Sequence, residues 1–246
     1  SDILLNANFP QSEFDRVVKQ TESSLMTVKS SPESMGANAL MSALFAGHPY
    51  GEITTEATLA NIKRDDVANF YKQTFVPEGS FLVIVGDITK AKAEEVVNQY
   101  FGTWSGKAVA KVDYPSAKNL NGNRVIFVKK PGAVQSFVQV AFPIDMKIGA
   151  ADQIPMSVTN SIFGGSGFGT RLMQNLREDK AYTYGSYSRL NVEPQGAYIS
   201  ASGSFRTDVT DSAITQLLFE LDRIGDSYVT DHELELTKSS MSGGFA

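Results

Sequence analysis

His48 and His232 are the only two imidazoles in this 246-residue chain, and it contains no cysteine. Zinc sites of the usual kinds draw on imidazoles, thiolates and carboxylates, and the common protease motifs place two His on one helix face. His232-Glu-Leu-Glu-Leu236 has no second His at helical spacing and reads as a solvated helix start, while His48 reads as a capping or turn residue before Pro49. No complete metal site is encoded. The lack of Cys also excludes disulfides, thiolate nucleophiles and iron–sulfur sites, without deciding between a reducing and an oxidising compartment. Serines are plentiful, yet Gly165-Ser-Gly-Phe-Gly169 has the glycines of a nucleophile elbow without its spacing. It also lacks the Gly-Lys-Ser/Thr ending of a phosphate loop and follows no strand. It therefore reads as a tight connection between helices, in which glycine permits positive φ and close backbone approach. No catalytic residue is assigned.

The most informative stretch runs from Arg171 to Tyr184, Arg-Leu-Met-Gln-Asn-Leu-Arg-Glu-Asp-Lys-Ala-Tyr-Thr-Tyr. A helix ending in a strand there sets a fixed cation, Arg177, near a phenol, Tyr184. Two readings stand side by side. Arg177 pairs with Glu178 or Asp179 while Tyr184 packs on the sheet, or both side chains hydrogen-bond the carbonyl oxygens of a bound peptide.

The elements that must position these groups follow from hydrophobic spacing and turn residues. A helix over most of the first 30 residues is marked by Pro10, Ser12 and Glu13, with Phe14, Val17, Val18, Leu25 and Val28 near helical spacing. Further helices are expected at about 34–45, from Lys63, and from Thr89. The apolar run Phe81–Val85, bounded by Gly79-Ser80 and Gly86-Asp87, reads as a strand. Arg124–Lys129 and Val134–Phe142 read as two strands joined at Lys130-Pro-Gly132. A helix at 150–163, a short helix through Leu172 and Leu176, strands at 182–192 and 196–205, and two closing helices complete the pattern. Phe81–Tyr100 and Tyr198–Leu221 share the order strand, polar turn, amphipathic helix, a weak internal repeat that favours two similar α+β domains. The segment from Gly102 to Asn123, poor in large apolar residues, reads as an inter-domain linker.

Twenty-two Lys and Arg against 27 Asp and Glu leave a net charge of -5, which supplies no electrostatic footprint for nucleic acid. No apolar run approaches the roughly 20 residues that cross a bilayer. Residues 1–10 carry no targeting pattern and no initiator Met, so the sequence is expected to start inside a longer protein.

The stretch Asn160–Tyr184 closely resembles the second-domain signature of the pitrilysin/insulinase family of zinc metallopeptidases, which includes the mitochondrial processing peptidases. Pro10–Ser34, Gly47-His-Pro-Tyr-Gly51, Phe81–Trp104 and Lys130-Pro-Gly-Ala-Val-Gln135 resemble that family in the same order, so the resemblance covers nearly the whole chain. It implies an α+β fold of pitrilysin-like domains, an antiparallel-rich sheet packed against helices. The division implied is the C-terminal half of a first domain at 1–105, a linker at 106–122 and most of a second domain at 123–246. In such proteins an Arg and a Tyr seven residues later, here Arg177 and Tyr184, contact substrate from the second domain. The family's inverted His-x-x-Glu-His, which binds zinc and activates water, does not occur in this chain. The family's third zinc ligand, a Glu, aligns with Ser24, and Glu22 lies roughly 200° away around the helix. The resemblance thus implies a fragment of a zinc-dependent endopeptidase, inactive alone, that supplies chamber wall and substrate contacts. The alternative is a non-catalytic homologue serving as a binding or assembly subunit. Zinc is expected in the complete parent or its partner subunit, not here. The expected partners are a peptide or protein substrate and either a catalytic partner subunit or a second copy, and the resemblance points to the bacterial periplasm.

Overall fold

The computed structural model describes residues 1–110, 112, 114 and 122–244. In chain order, its helices are α1 (Asp2–Leu5), α2 (Gln11–Ser30), α3 (Pro32–Leu44), α4 (Glu56–Asn61), α5 (Arg64–Thr74), α6 (Lys90–Phe101), α7 (Gln153–Asn160), α8 (Arg171–Met173), α9 (Thr210–Asp226) and α10 (Asp231–Gly243). The strands are β1 (Gln135–Ile144), β2 (Thr183–Glu193) and β3 (Gly196–Arg206). The fold is α+β, as expected. Helix starts follow side chains that satisfy free backbone N–H groups: Ser31 accepts from Ser34, Thr89 from Lys92 and Thr230 from Glu233.

The chain divides into two compact units, Ser1–Thr27 with Thr54–Asp113, and Val28–Ile53 with Tyr114–Ala246. In the first, the segment before α2 is tied to α5. The Arg64 guanidinium donates to the Asn8 and Phe9 carbonyls at 2.7 and 2.9 Å, and the Tyr71 hydroxyl donates to the Leu4 carbonyl. The Trp104 indole donates to the Phe75 carbonyl at 3.3 Å, and Val76 is buried.

The second unit is built on an antiparallel sheet of order β1-β3-β2. Val138 faces Gly203 across one ladder and Ser188 faces Ala201 across the other. The core is Phe163, Leu172, Leu176, Ala201, Phe205, Ala213 and Leu217, each fully buried. α9 contributes Ala213 and Leu217 to it, at helical spacing. The Val28–Ile53 segment belongs to this unit: α3 packs on β1, and the Ser204 hydroxyl donates to Glu33 Oε1 at 2.7 Å.

Two expected strands are not formed. Phe81–Val85 and residues 124–129 carry no regular secondary structure, and their apolar side chains are largely exposed. A strand exists through its ladder to a neighbour, and among the described residues neither segment has one. The turn at Lys130-Pro-Gly132 is present, closed by Ala133 N–H on the Lys130 carbonyl at 3.3 Å, so it leads into β1 without joining a hairpin. The helix expected at 150–163 is α7 followed by a π-turn over Ser161–Gly165. Most of the expected linker at 106–122 lies outside the described residues. Among the described residues no helix is long and apolar enough to cross a membrane.

Candidate functional site

Arg177 and Tyr184 lie in the second unit, each on a local irregularity. α8 is capped by Thr170, whose hydroxyl accepts from Met173 N–H, and it widens at once into a π-turn over Gln174–Asp179 that carries Arg177. Such single wide turns concentrate at functional sites. Leu172 and Leu176, fully buried, fasten this segment to the core. The chain then reverses through Ala181 at φ +51°, with Ala181 N–H on the Arg177 carbonyl at 3.0 Å and Tyr182 N–H on the Leu176 carbonyl at 2.9 Å.

Tyr184 stands in a bulge. Thr183 pairs with Phe205 and Ser186 with Gly203, so β2 carries one residue more than β3 over that interval. A bulge re-aims the side chains it contains. The Thr183 hydroxyl holds it in place, donating to the Ser204 carbonyl at 2.7 Å and accepting from Gly185 N–H at 3.1 Å. Tyr184 is 80% exposed, so it does not pack on the sheet.

The structure brings the pair together: the Arg177 guanidinium carbon lies over the Tyr184 ring, 4.7 Å from its centroid. It also lies over the Phe168 ring at 4.8 Å, a contact with no periodic signal in the sequence. The pairing of Arg177 with Glu178 is present too, Nε to Oε1 at 3.3 Å. Phe168 belongs to the glycine-rich stretch, where Gly167 and Gly169 adopt φ +89° and +86°, as the reading as a tight connection requires. At Gly164 a Cβ would stand 2.6 Å from Leu172 Cδ1 and 2.7 Å from the Ser188 nitrogen, so only glycine lets this π-turn approach β2. Two surface clefts lie elsewhere, one lined by Tyr71, Val76 and Trp104 and the other by Pro32, Glu33, Lys130 and Ser204. In the second, the Ser204 hydrogen bond holds the Glu33 carboxyl below its ordinary value.

The described residues do not fit a zinc ion. His48 is buried and caps the turn Pro49–Gly51, with Nδ1 accepting from Tyr50 N–H at 3.1 Å. His232 is exposed in the first turn of α10. Ser24, on α2, donates back to the Gln20 carbonyl at 3.0 Å, and Glu22 is exposed. Among the described residues no three His, Cys, Asp or Glu are grouped to hold a metal.

Residues 61–241 match the Peptidase M16 inactive domain. The chain belongs to the M16 peptidase family. This is the pitrilysin-type family that the Asn160–Tyr184 stretch resembles. Over 99% of its length the M16 chain is 23% identical to the uncharacterized zinc protease YmxG of Bacillus subtilis (strain 168), of which it covers 58%. It is also 23% identical to the non-peptidase homolog YmxG of Helicobacter pylori, covering 85% of this chain and 48% of that protein. The crystal structure of a peptidase M16 inactive domain from Pseudomonas fluorescens superposes with a TM-score of 0.86 at 22% identity, covering 98% of this chain and 58% of that one. The M16 chain thus spans about half of the curated relatives it matches, and it carries the inactive-domain part of the family without a catalytic zinc motif.

Proposed function

We propose that the chain supplies chamber wall and substrate contacts to a longer zinc-dependent endopeptidase, with Arg177 and Tyr184 binding the peptide. The observation that carries this reading is the cation–phenol pair itself, Arg177 over Tyr184 at 4.7 Å, held on a core-anchored turn and a bulged strand with the phenol exposed. A guanidinium and a phenol hydrogen-bond a peptide carbonyl as charge develops on it, an interaction worth a few kcal/mol in a transition state. Zinc belongs to the complete parent or to its partner subunit, and the family division at 1–105, 106–122 and 123–246 goes with this reading. A bacterial periplasmic setting, with a catalytic partner subunit or a second copy, follows from the resemblance.

One observation favours a second reading, a non-catalytic homologue acting as a binding or assembly subunit. Ser24 stands where the family's ligand Glu aligns and spends its hydroxyl on its own helix. A relative named a non-peptidase homolog supports it.

The test uses fluorescein-labelled unfolded casein and the purified chain. Arg177→Ala and Tyr184→Phe are expected to raise the casein Kd while denaturation midpoints move little, because the Arg177–Glu178 pair, with Arg177 half-buried and Glu178 exposed, is screened by solvent and worth only about 1 kcal/mol. Unchanged Kd in both variants overturns the assignment. Zinc content and casein cleavage of the longer protein then separate the two readings: one zinc with turnover supports the endopeptidase, and casein binding with neither supports the assembly subunit.

A further inference from the structure

Phe168 is the aromatic residue of a glycine-rich stretch, and burial does not account for it. It is 75% exposed, and with Gly167 and Gly169 both at positive φ its place is set by a backbone path that side chains rarely follow. Its ring faces the Arg177 guanidinium at 4.8 Å, and the Tyr184 ring faces the same cation at 4.7 Å. A guanidinium is attracted to the negative face of an aromatic ring, and two such faces restrict a side chain that otherwise keeps much rotamer freedom. Three irregular segments converge here: the glycine-rich stretch, the π-turn and the strand bulge.

We propose that Phe168 is a positioning residue for Arg177, forming with Tyr184 a two-ring clamp that presents the guanidinium to a bound peptide. This rests on the peptide-binding reading above. Among the described residues the one ion pair of Arg177 runs from Nε to Glu178, and the Nη groups are the donors the clamp orients toward a carbonyl. Both rings are largely exposed.

The experiment follows the Nε–Hε signal of Arg177 in the ¹⁵N-labelled chain, assigned by its loss in Arg177→Lys, together with the Kd for fluorescein-labelled unfolded casein. Phe168→Leu keeps apolar volume and removes the ring. It is expected to shift the Nε–Hε signal by loss of the ring current and to raise the casein Kd about two- to five-fold. Phe168→Tyr is expected to restore both readouts. In the Arg177→Ala background, Phe168→Leu is expected to change the Kd no further, the mark of two residues acting as one. An unmoved signal in Phe168→Leu overturns the clamp, as does an equal loss of affinity with and without Arg177. Failure of the peptide reading looks different: Arg177→Ala leaves the casein Kd unchanged while Phe168→Leu still moves the signal, which overturns the peptide role of the clamp along with that reading.

Discussion

Phe81–Tyr100 and Tyr198–Leu221 have the same order of apolar run, polar turn and amphipathic helix, but only one of them forms a strand. In the second, Tyr198–Phe205 is the central strand β3, paired with β1 on one side and β2 on the other. Its turn, Thr207–Val209, delivers α9 with Ala213 and Leu217 fully buried. In the first, α6 starts at Thr89 as its cap requires, yet Phe81–Val85 has no strand and α6 buries no residue completely. The helix is the same local object in both places, since its hydrogen bonds close within the segment. The strand is not a local object. Its backbone groups are satisfied only by a neighbour, and its apolar side chains gain only when another surface covers them.

The largest effect expected from this comparison is in the aromatic side chains. Phe205 is fully buried in the core and Phe81 is 89% exposed. Phe205→Ala should lower stability by about 3–5 kcal/mol, the usual cost of a cavity left by a core aromatic. Urea denaturation followed by circular dichroism checks it. A loss under about 1 kcal/mol would mean that the β3 core is far looser than its burial implies.

The next contrast is between the charges on the helices. On α6, Lys92 and Glu95 pair at 2.7 Å with both side chains largely exposed, worth roughly 0–1 kcal/mol. On α10, Glu233 closes a capping box with Thr230 and receives the Arg171 guanidinium in two-point fashion, Nε to Oε1 at 2.7 Å and Nη2 to Oε2 at 3.1 Å. Arg171 is buried. Its hydrogen bonds pull the Glu233 carboxyl from the ordinary 4.5 down to about 2. With the folded value depressed, the pair stabilises the fold fully above pH 4.5, and this contribution is lost as the pH falls toward 2. Arg171→Ala should cost about 2 kcal/mol at neutral pH, and Glu233→Gln should flatten the stability profile between pH 4.5 and 2. Lys92→Ala should do neither. A pH profile identical in wild type and Glu233→Gln would remove the pair from the account of what fastens α10.

What was legible in the sequence divides along the same line. Helices marked by local residues were readable: α2 after Pro10 and α6 from Thr89, while α3, expected at about 34–45, starts earlier at Pro32 because Ser31 caps it. So were the runs that became β1, β2 and β3. Phe81–Val85 misled because a continuous apolar run reports what would be buried if covered, not what covers it. The candidate site was legible as residue types at a spacing, Arg177 and Tyr184, but the geometry of the pair was not. The π-turn under Arg177, the bulge under Tyr184 and the ring of Phe168 come from tertiary pairing and from one residue inserted in a ladder, which leave no periodic trace. The α4 helix, short and closed by a Thr55–Thr58 capping box, was missed although its signal was local. The membership of Val28–Ile53 in the second unit depends on the packing of α3 on β1, a contact between residues about 100 positions apart.

A smaller effect lies at the reversal between Arg177 and Tyr184. Ala181 sits at φ +51°, a conformation that costs a residue with a Cβ roughly 1–2 kcal/mol and glycine little. Ala181→Gly should stabilise the second unit by about 0.5–1 kcal/mol after the greater entropy loss of glycine is set against the relieved strain. The denaturation midpoint measures it. Destabilisation instead would show that the Ala181 methyl makes contacts worth more than the strain.

The smallest effect belongs to the run that began the comparison. Phe81 and Val85 are 89% and 91% exposed, so replacing them by serine removes little buried apolar area, and burial is the quantity that stabilises. Phe81→Ser and Val85→Ser together should shift stability by no more than about 0.5 kcal/mol, the range for surface positions away from caps and cavities. Solubility should rise, because an exposed apolar run is a surface on which chains associate. Both readouts are needed, since they respond to different states. The denaturation midpoint reads the folded chain by itself, and sedimentation across a range of concentrations reads association. If the double variant instead loses 2 kcal/mol or more at low concentration, Phe81–Val85 is covered in solution, and the contrast with β3 disappears. If stability holds and association falls, the two stretches differ as the structure has them: one apolar run has neighbours on both sides and is a strand, and the other, with no neighbouring strand among the described residues, stays uncovered.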